Sequence, residues 1–383
     1  MKKFIFSLLV ISGAVFGDSM SDGNTTERNM TESFVYDEYN VSSLIEGMDA
    51  YGKADYELAI KLFSKRIESN PKDDFSYIYR ANSYLNLKNY DLAIQDSNKV
   101  IKLNPNDFNA YYNLGLSYHY LKNYSSAIRD YTKAIKLNTN NDLAYFSRGN
   151  SYCNVKNYAL AIKDFTKAIK LYPNYANAYN NRGSSYAKSK NYSLARKDFN
   201  KAIELDSNNS IAYFNRGVSY ANLKKYNLAL KDFNKAIELN PTDTYSYGSS
   251  GVVYYKLKKY DLSTKYLHKA IELDSNNSTA YTNLLEMSIV INQDFNTSLE
   301  EKLIELSKDD KQTSAKYEML KIVQSISTNN SYNLTPKEWD EKYKDIKIES
   351  WDFEELDEWA NNTKDKDKKA KLKNAIKIFK THK

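Results

Sequence analysis

Four of the five prolines in this 383-residue chain stand at Pro71, Pro105, Pro173 and Pro241, separated by 34, 68 and 68 positions. Glycines recur at 47, 115, 149, 183, 217 and 251 on the same beat, with Ala81 in the missing place. Tyrosines at 56, 90, 124, 158, 192, 226 and 260 complete seven copies without an insertion. A fixed 34-residue period excludes most folds, because each copy is too short to bury its own apolar face and must stack on its neighbours. The length alone would suggest two or three domains. The period replaces that expectation with one array over 40–277, its units beginning at 40, 74, 108, 142, 176, 210 and 244.

Each unit reads as a helical hairpin. In the copy from 210, Tyr213, Arg216, Gly217 and Tyr220 fall at i, i+3, i+4 and i+7 on one helical face, and the glycine permits close approach of a second helix. Lys224, Lys225 and Tyr226 lead through a short turn. A second helix carries Leu228, Ala229, Phe233, Ala236 and Ile237, and it stops at Asn240-Pro241, where proline forbids continuation. Only 5 prolines and 11 glycines in the whole chain agree with a helical body.

These residues resemble the tetratricopeptide repeat. Its pattern is visible in the copy from 108 as Tyr111, Leu114, Gly115, Tyr118, Ala127, Tyr131 and Ala134, with Thr139 where the terminal proline belongs. The copies from 142, 176 and 210 repeat it with Ala161, Phe165 and Ala168, with Ala195, Phe199 and Ala202, and with Ala229, Phe233 and Ala236. The pattern thins at Ala50 in the first copy and at Ser263 and Leu267 in the seventh, as expected of terminal repeats. The resemblance implies an all-α, right-handed α-solenoid of hairpins, and the residues after the array are expected to form its C-terminal helical cap. It also implies a concave groove, lined by first helices, that holds an extended peptide.

The flanks divide as follows. Residues 1–17, with Lys2 and Lys3 ahead of the apolar run Phe4–Phe16 and Gly17, have the design of a signal peptide, so export to the periplasm, the cell envelope or the exterior is expected. No cysteine near the cleavage point is available for a lipid anchor. Residues 18–39 hold six acidic side chains against Arg28 and read as a flexible acidic lead. Residues 278–308 are a degenerate eighth repeat with Leu285 in the glycine place. Residues 309–383 leave the frame, and helices are expected near 313–326, 336–346, 350–360 and 366–380. The tryptophans Trp339, Trp351 and Trp359 all lie there, and they are expected to seal the last apolar interface.

Charge follows the same division. The formal net charge of +7 equals the nine lysines of 362–383 less Asp365 and Asp367, so everything before that tail sums to zero. A neutral body argues against nucleic acid. The basic tail, 364–383, offers peripheral attachment to an anionic membrane or polymer.

No catalytic constellation assembles. The histidines are His119, His268 and His382, the single cysteine Cys153 has none beside it in the frame, and no phosphate-cradling or metal-ligating motif occurs, so no metal, no small-molecule cofactor and no catalysis are expected. Arg80, Arg148, Arg182 and Arg216 recur on first helices where Asp96, Asp164, Asp198 and Asp232 recur on second helices, which predicts Arg–Asp pairing; an arginine ladder for anionic ligands is the alternative.

Carried onto this frame, the resemblance places Ile78, Asn82, Tyr112, Asn113, Phe146, Asn150, Asn180, Asn181, Phe214 and Asn215 in the groove. Asparagine there could pair with any peptide backbone, and the rings could add apolar contact. The subtype that clamps acidic chaperone C-termini is excluded. Asn82 and Asn113 occupy its asparagine places, but Ile78, Leu143 and Ser147 stand where its cations belong, and the set at Asn150 and Asn181 likewise has Phe146, Ile211 and Asn215. The expected function is a non-catalytic scaffold for a protein or extended peptide. Its alternatives are a small enzyme or ligand-binding domain in 309–383 and electrostatic attachment through the tail.

Overall fold

The computed structural model describes residues 42–291, 293, 296–348 and 353–382, so the expected signal peptide and acidic lead lie outside the described residues, as does Trp351. Twenty helices and no strand occur among the described residues. Sixteen of them form eight hairpins, odd-numbered helices first and even-numbered second. They are α1 (42–52) with α2 (Tyr56–Ser69), α3 (Asp74–Asn86) with α4 (Tyr90–Leu103), and α5 (Phe108–Tyr120) with α6 (Tyr124–Leu137). Next come α7 (Asp142–Asn154) with α8 (Tyr158–Leu171), α9 (Ala176–Lys188) with α10 (Tyr192–Leu205), and α11 (Ser210–Asn222) with α12 (Tyr226–Leu239). The last are α13 (Thr244–Lys256) with α14 (Tyr260–Leu273), and α15 (Ser278–Val290) with α16 (Thr297–Ser307). Four helices outside the period follow: α17 (Lys311–Thr328), α18 (Pro336–Lys342), α19 (Glu354–Asn362) and α20 (Lys366–Lys380). The chain divides into two compact units, one ending at Leu137 and the other beginning at Asn138.

Local chemistry fixes the helix ends. The side chains of Asp73, Asp107, Asn141, Asn209, Asp243 and Asn277 accept backbone N–H bonds at the starts of first helices, satisfying donors that the helix cannot. Within each of the first seven hairpins the chain turns through one left-handed residue: Ala54, then Lys88, Lys122, Lys156, Lys190, Lys224 and Lys258, with φ between 56° and 62°. That lysine rather than glycine occupies this conformation is a feature that the sequence pattern alone does not announce.

The periodic glycine has a steric reason. A Cβ on Gly183 would stand 2.8 Å from the Phe199 ring and 3.1 Å from the Ala195 carbonyl oxygen; on Gly217 it would stand 2.6 Å from Phe233. The repeat from 74 resolves the same conflict from the other side, with Ala81 in the glycine place and the small Ser97 where the ring would be, both fully buried. Phe165, Phe199 and Phe233 are likewise fully buried, each against the first helix of its own hairpin.

The second unit ends in a different core. Tyr281, Leu285, Ile289 and Leu303 of the eighth hairpin join Met319, Leu320 and Val323 of α17, Trp339, Leu356 of α19, and Leu372, Ile376 and Phe379 of α20 in one cluster. Trp339 is fully buried and its indole donates to the Ala315 carbonyl at 3.0 Å. The stretch expected to be helical over 336–346 is helical only through Lys342, and α19 is described from Glu354. The basic tail is folded: α20 buries its apolar stripe while Lys368 donates to the Ser327 carbonyl and Lys380 pairs with Asp357. Lys366, Lys371, Lys373 and Lys377 remain exposed on its outer face.

Candidate functional site

Whether the repeated arginines form a ligand ladder is decided by their bonds. Arg80, Arg148, Arg182 and Arg216 fork onto Asp96, Asp164, Asp198 and Asp232 through Nε and Nη2 at 2.7–2.8 Å. A further donor reaches the preceding repeat: Arg80 bonds Ser64, Arg182 bonds Thr166 and Arg216 bonds Asn200. Each guanidinium also lies over a tyrosine ring, as Arg182 does over Tyr179 at 5.5 Å. For Arg182, burial alone would push the guanidinium pKa down, and the bonds to Asp198 outweigh it and hold it above its ordinary value. The forks hold the two helices of a hairpin together, and the further bonds of Arg80, Arg182 and Arg216 tie hairpin to hairpin, so the arginines act as structural ties within the stack. The repeat from 108 shows the rule by exception: Leu114 stands in the arginine place and Asp130 takes Arg129 instead.

The asparagines also bond to one another. In the first unit Asn113 donates to Asn82 Oδ1 at 2.7 Å. In the second, Asn181 donates to Asn150 Oδ1 at 2.8 Å, Asn180 to Asn181 at 3.2 Å, and Asn215 to Asn180 at 3.1 Å. One chain of amides therefore crosses the first helices α7, α9 and α11. First helices of successive repeats touch within each unit, which brings these residues together.

Not every residue placed in the groove is open. Ile78, Asn113 and Asn180 are buried, because each turns inward against its neighbouring first helix. Asn82, Asn150, Asn181 and Asn215 are half-buried, as are Tyr112, Phe146 and Phe214, whose rings lean on Tyr131, Phe165 and Phe233 at 5.7–5.8 Å. Among the described residues, the amide nitrogens of Asn82 and Asn150 and the carbonyl oxygen of Asn215 keep hydrogen-bonding capacity beyond these pairs. In the first unit Ile78 and Asn82 border a cavity of about 380 Å³ with Tyr51, Phe75 and Asn109.

A second cavity, of about 270 Å³, lies in the hairpins after the asparagine chain and was not among the sequence candidates. Phe233, Leu267, Val218 and Val253 line it, Gly248 opens it, and Tyr245 stands at its edge, 75% exposed. The signal was present in the period: Gly248 occupies the place that Phe146 and Phe214 hold in their copies.

Cys153 packs half-buried with its Sγ 3.3 Å from Ser185 Oγ, and burial pushes the thiol pKa up, which disfavours the nucleophilic thiolate. No group of three or more His, Cys, Asp or Glu side chains placed to hold a metal occurs among the described residues, and no helix among them is long and apolar enough to cross a membrane.

The sequence matches the family pattern described as "Tetratricopeptide repeat" over 108–141, 143–175, 176–209 and 210–243, and over 244–277. A related pattern, "TPR repeat", matches 81–121. Among solved structures, the Cut9–Hcn1 hetero-tetramer of the APC/C is similar with a TM-score of 0.52 at 17% identity, covering 73% of this chain and 55% of that one. The C-terminal part of a repeat-containing protein from Cytophaga hutchinsonii gives 0.50 at 23% identity, covering 62% and 98%. YrrB, described as a TPR protein with an unusual peptide-binding site, gives 0.43 at 26% identity, covering 48% and 95%. No curated protein matches the chain.

Proposed function

Because the chain belongs to the tetratricopeptide-repeat family, we propose that it is a non-catalytic scaffold that binds an extended peptide segment of a partner protein along its first helices. The observation that carries this reading is the bonded asparagine chain from Asn150 to Asn215, flanked by the half-buried rings of Phe146 and Phe214. Amides already bonded to each other hold fixed orientations, so little side-chain entropy is lost when the remaining N–H and C=O groups meet a peptide backbone. Rings beside them supply apolar area without fixing the ligand's sequence. We assign export to the segment 1–17 on its charged and apolar pattern, which places the partner outside the cytoplasm.

The test is selection from a random peptide library on the immobilised full chain, followed by affinity measurement on the Asn150→Leu/Asn215→Leu variant. Loss of at least tenfold in affinity is expected in a variant that still folds, its melting temperature lowered only by the loss of two amide–amide bonds. Selected peptides that bind this variant as well as the wild type would overturn the reading.

The second reading, attachment to an anionic membrane surface, rests on Lys366, Lys371, Lys373 and Lys377 along the outer face of α20. Since the apolar stripe of that helix is buried, such attachment would be electrostatic only. Binding to phosphatidylserine vesicles should then fall steeply with salt.

A further inference from the structure

Gly248 differs from the other repeat glycines. A Cβ built on it would meet only the Ala270 Cβ, at 4.0 Å, which is ordinary contact, and no glycine among the described residues has a positive φ. Neither packing nor backbone conformation therefore requires glycine at this place. In a helix interior glycine is also less stable than alanine. What its missing side chain does provide is space.

The neighbouring repeats show what fills that space. In the copies from 142 and 210, Phe146 and Phe214 sit at this position and lean on the second-helix rings Phe165 and Phe233, with centroids 5.7 and 5.8 Å apart. In the copy from 244 both partners are reduced, the first to Gly248 and the second to Leu267. The resulting cavity, about 270 Å³, exceeds the roughly 150 Å³ apolar cavity that accommodates a benzene ring. All its lining residues are uncharged, so it offers nothing to neutralise a charged guest. At the rim, Asn283 donates its amide to the Thr279 carbonyl and leaves Oδ1 to accept an N–H from a bound backbone. The exposed Tyr245 stands 6.3 Å from Phe214, which connects the pocket to the ring flanking the asparagine chain.

We propose that the Gly248 cavity is an anchor pocket that takes one uncharged aromatic side chain, phenylalanine foremost, from the bound peptide. The guest ring stands where Phe146 and Phe214 stand in their own repeats. This assignment deepens the peptide-binding reading and rests on it.

The probe is the capped pentapeptide Gly-Ser-Phe-Ser-Gly with 4-fluorophenylalanine at its centre, followed by fluorine NMR against the full chain at millimolar peptide, alongside central Ala, Lys and Glu versions tested by competition. Saturable binding of the Phe peptide is expected, with at least tenfold weaker competition by the others. Gly248→Phe should abolish binding while leaving the melting temperature unchanged or raised, since it supplies the ring internally. Gly248→Ala, a smaller change that secures a folded control, should weaken it several-fold. Equal competition by the Ala peptide, or Phe-peptide binding that survives Gly248→Phe, overturns the pocket while leaving the groove reading intact. Absence of binding by any of these peptides also overturns it, and library peptides that fail as well would take the groove reading with it.

Discussion

The repeats from 142 to 243 and the cluster formed by 278–382 are both helical, yet they hold themselves together in opposite ways. In the repeats the main packing contacts are duplicated: one ring against one glycine, one arginine forked onto one aspartate, each recurring 34 residues on. In the C-terminal cluster nothing recurs, and side chains from six helices join in one core that contains Trp339. A periodic stack distributes stability over equivalent interfaces, so the loss of one is felt locally. A convergent core concentrates it, so one cavity is felt by every helix that touches it.

The largest effect should separate the two regions outright. Trp339→Ala removes a fully buried indole and its bond to the Ala315 carbonyl, and should cost about 3–5 kcal/mol. Hydrogen exchange should show α17 to α20 losing protection together while α7 to α12 keep theirs. Ending the chain at residue 308 should expose Tyr281, Leu285 and Leu303 and bring aggregation, read by light scattering. If protection in α7 to α12 falls equally, the two regions form one cooperative unit and the contrast is wrong.

Next comes the arginine fork. Arg182→Ala leaves Asp198 buried without its partner and should cost roughly 2–3 kcal/mol. Adding Asp198→Ala should recover part of that loss, because the penalty is the unpaired carboxylate more than the missing pair. Chemical denaturation of the two single variants and the double variant checks it. A double variant no more stable than Arg182→Ala would instead assign the cost to lost packing across to Thr166.

The glycines sharpen the comparison inside the array. Gly183→Ala drives a methyl group into Phe199 and should cost about 1–3 kcal/mol. Gly248→Ala meets open space and should be neutral or stabilising by up to ~1 kcal/mol. Opposite signs at two positions with the same residue type, read as melting shifts, would separate a structural glycine from one that only opens a cavity.

How far the sequence foretold this follows from the same contrast. The hairpins, their glycines and the Arg–Asp forks were legible because each is a pairing at a fixed offset, and the repeat prints those offsets between four and seven times. The asparagine positions were legible too, but not that they bond among themselves, since Asn180 and Asn215 meet across 35 residues of chain through helix packing. Ile78 and Asn113 were expected to be open for the same reason and are buried. Gly248 escaped notice as a departure from the pattern at a place where the pattern itself varies. In 309–383 the composition marked apolar helices, but a core made of single occurrences has no period to read. The helix expected over 366–380 is present as α20, but its share in the core was not legible, because the buried Leu372, Ala375, Ile376 and Phe379 are outnumbered by its charges.

The smallest expected effect concerns helix starts. In the hairpins from 142 to 243 the side chains that cap helices, Asn141, Asn157, Asn191 and Asn209, do not titrate. Helix α17 is capped instead by Asp310, which accepts from the backbone N–H groups of Gln312 and Thr313 and from the Thr313 hydroxyl. Burial alone would raise this carboxyl's pKa, but those bonds outweigh it and hold it below its ordinary value. A carboxyl depressed in the folded state contributes stability above its unfolded pKa, about 4, and loses that contribution as pH falls through the lower folded value. Acid should therefore loosen the start of α17 before it loosens α7. Asp310→Ala should cost about 1 kcal/mol at neutral pH. Asp310→Asn should keep most of that stability while removing the acid sensitivity, so hydrogen exchange of α17 in this variant should change between pH 5 and 3 no more than that of α7. If α17 loosens in acid with asparagine in place, the sensitivity belongs to other carboxylates of the cluster rather than to its cap.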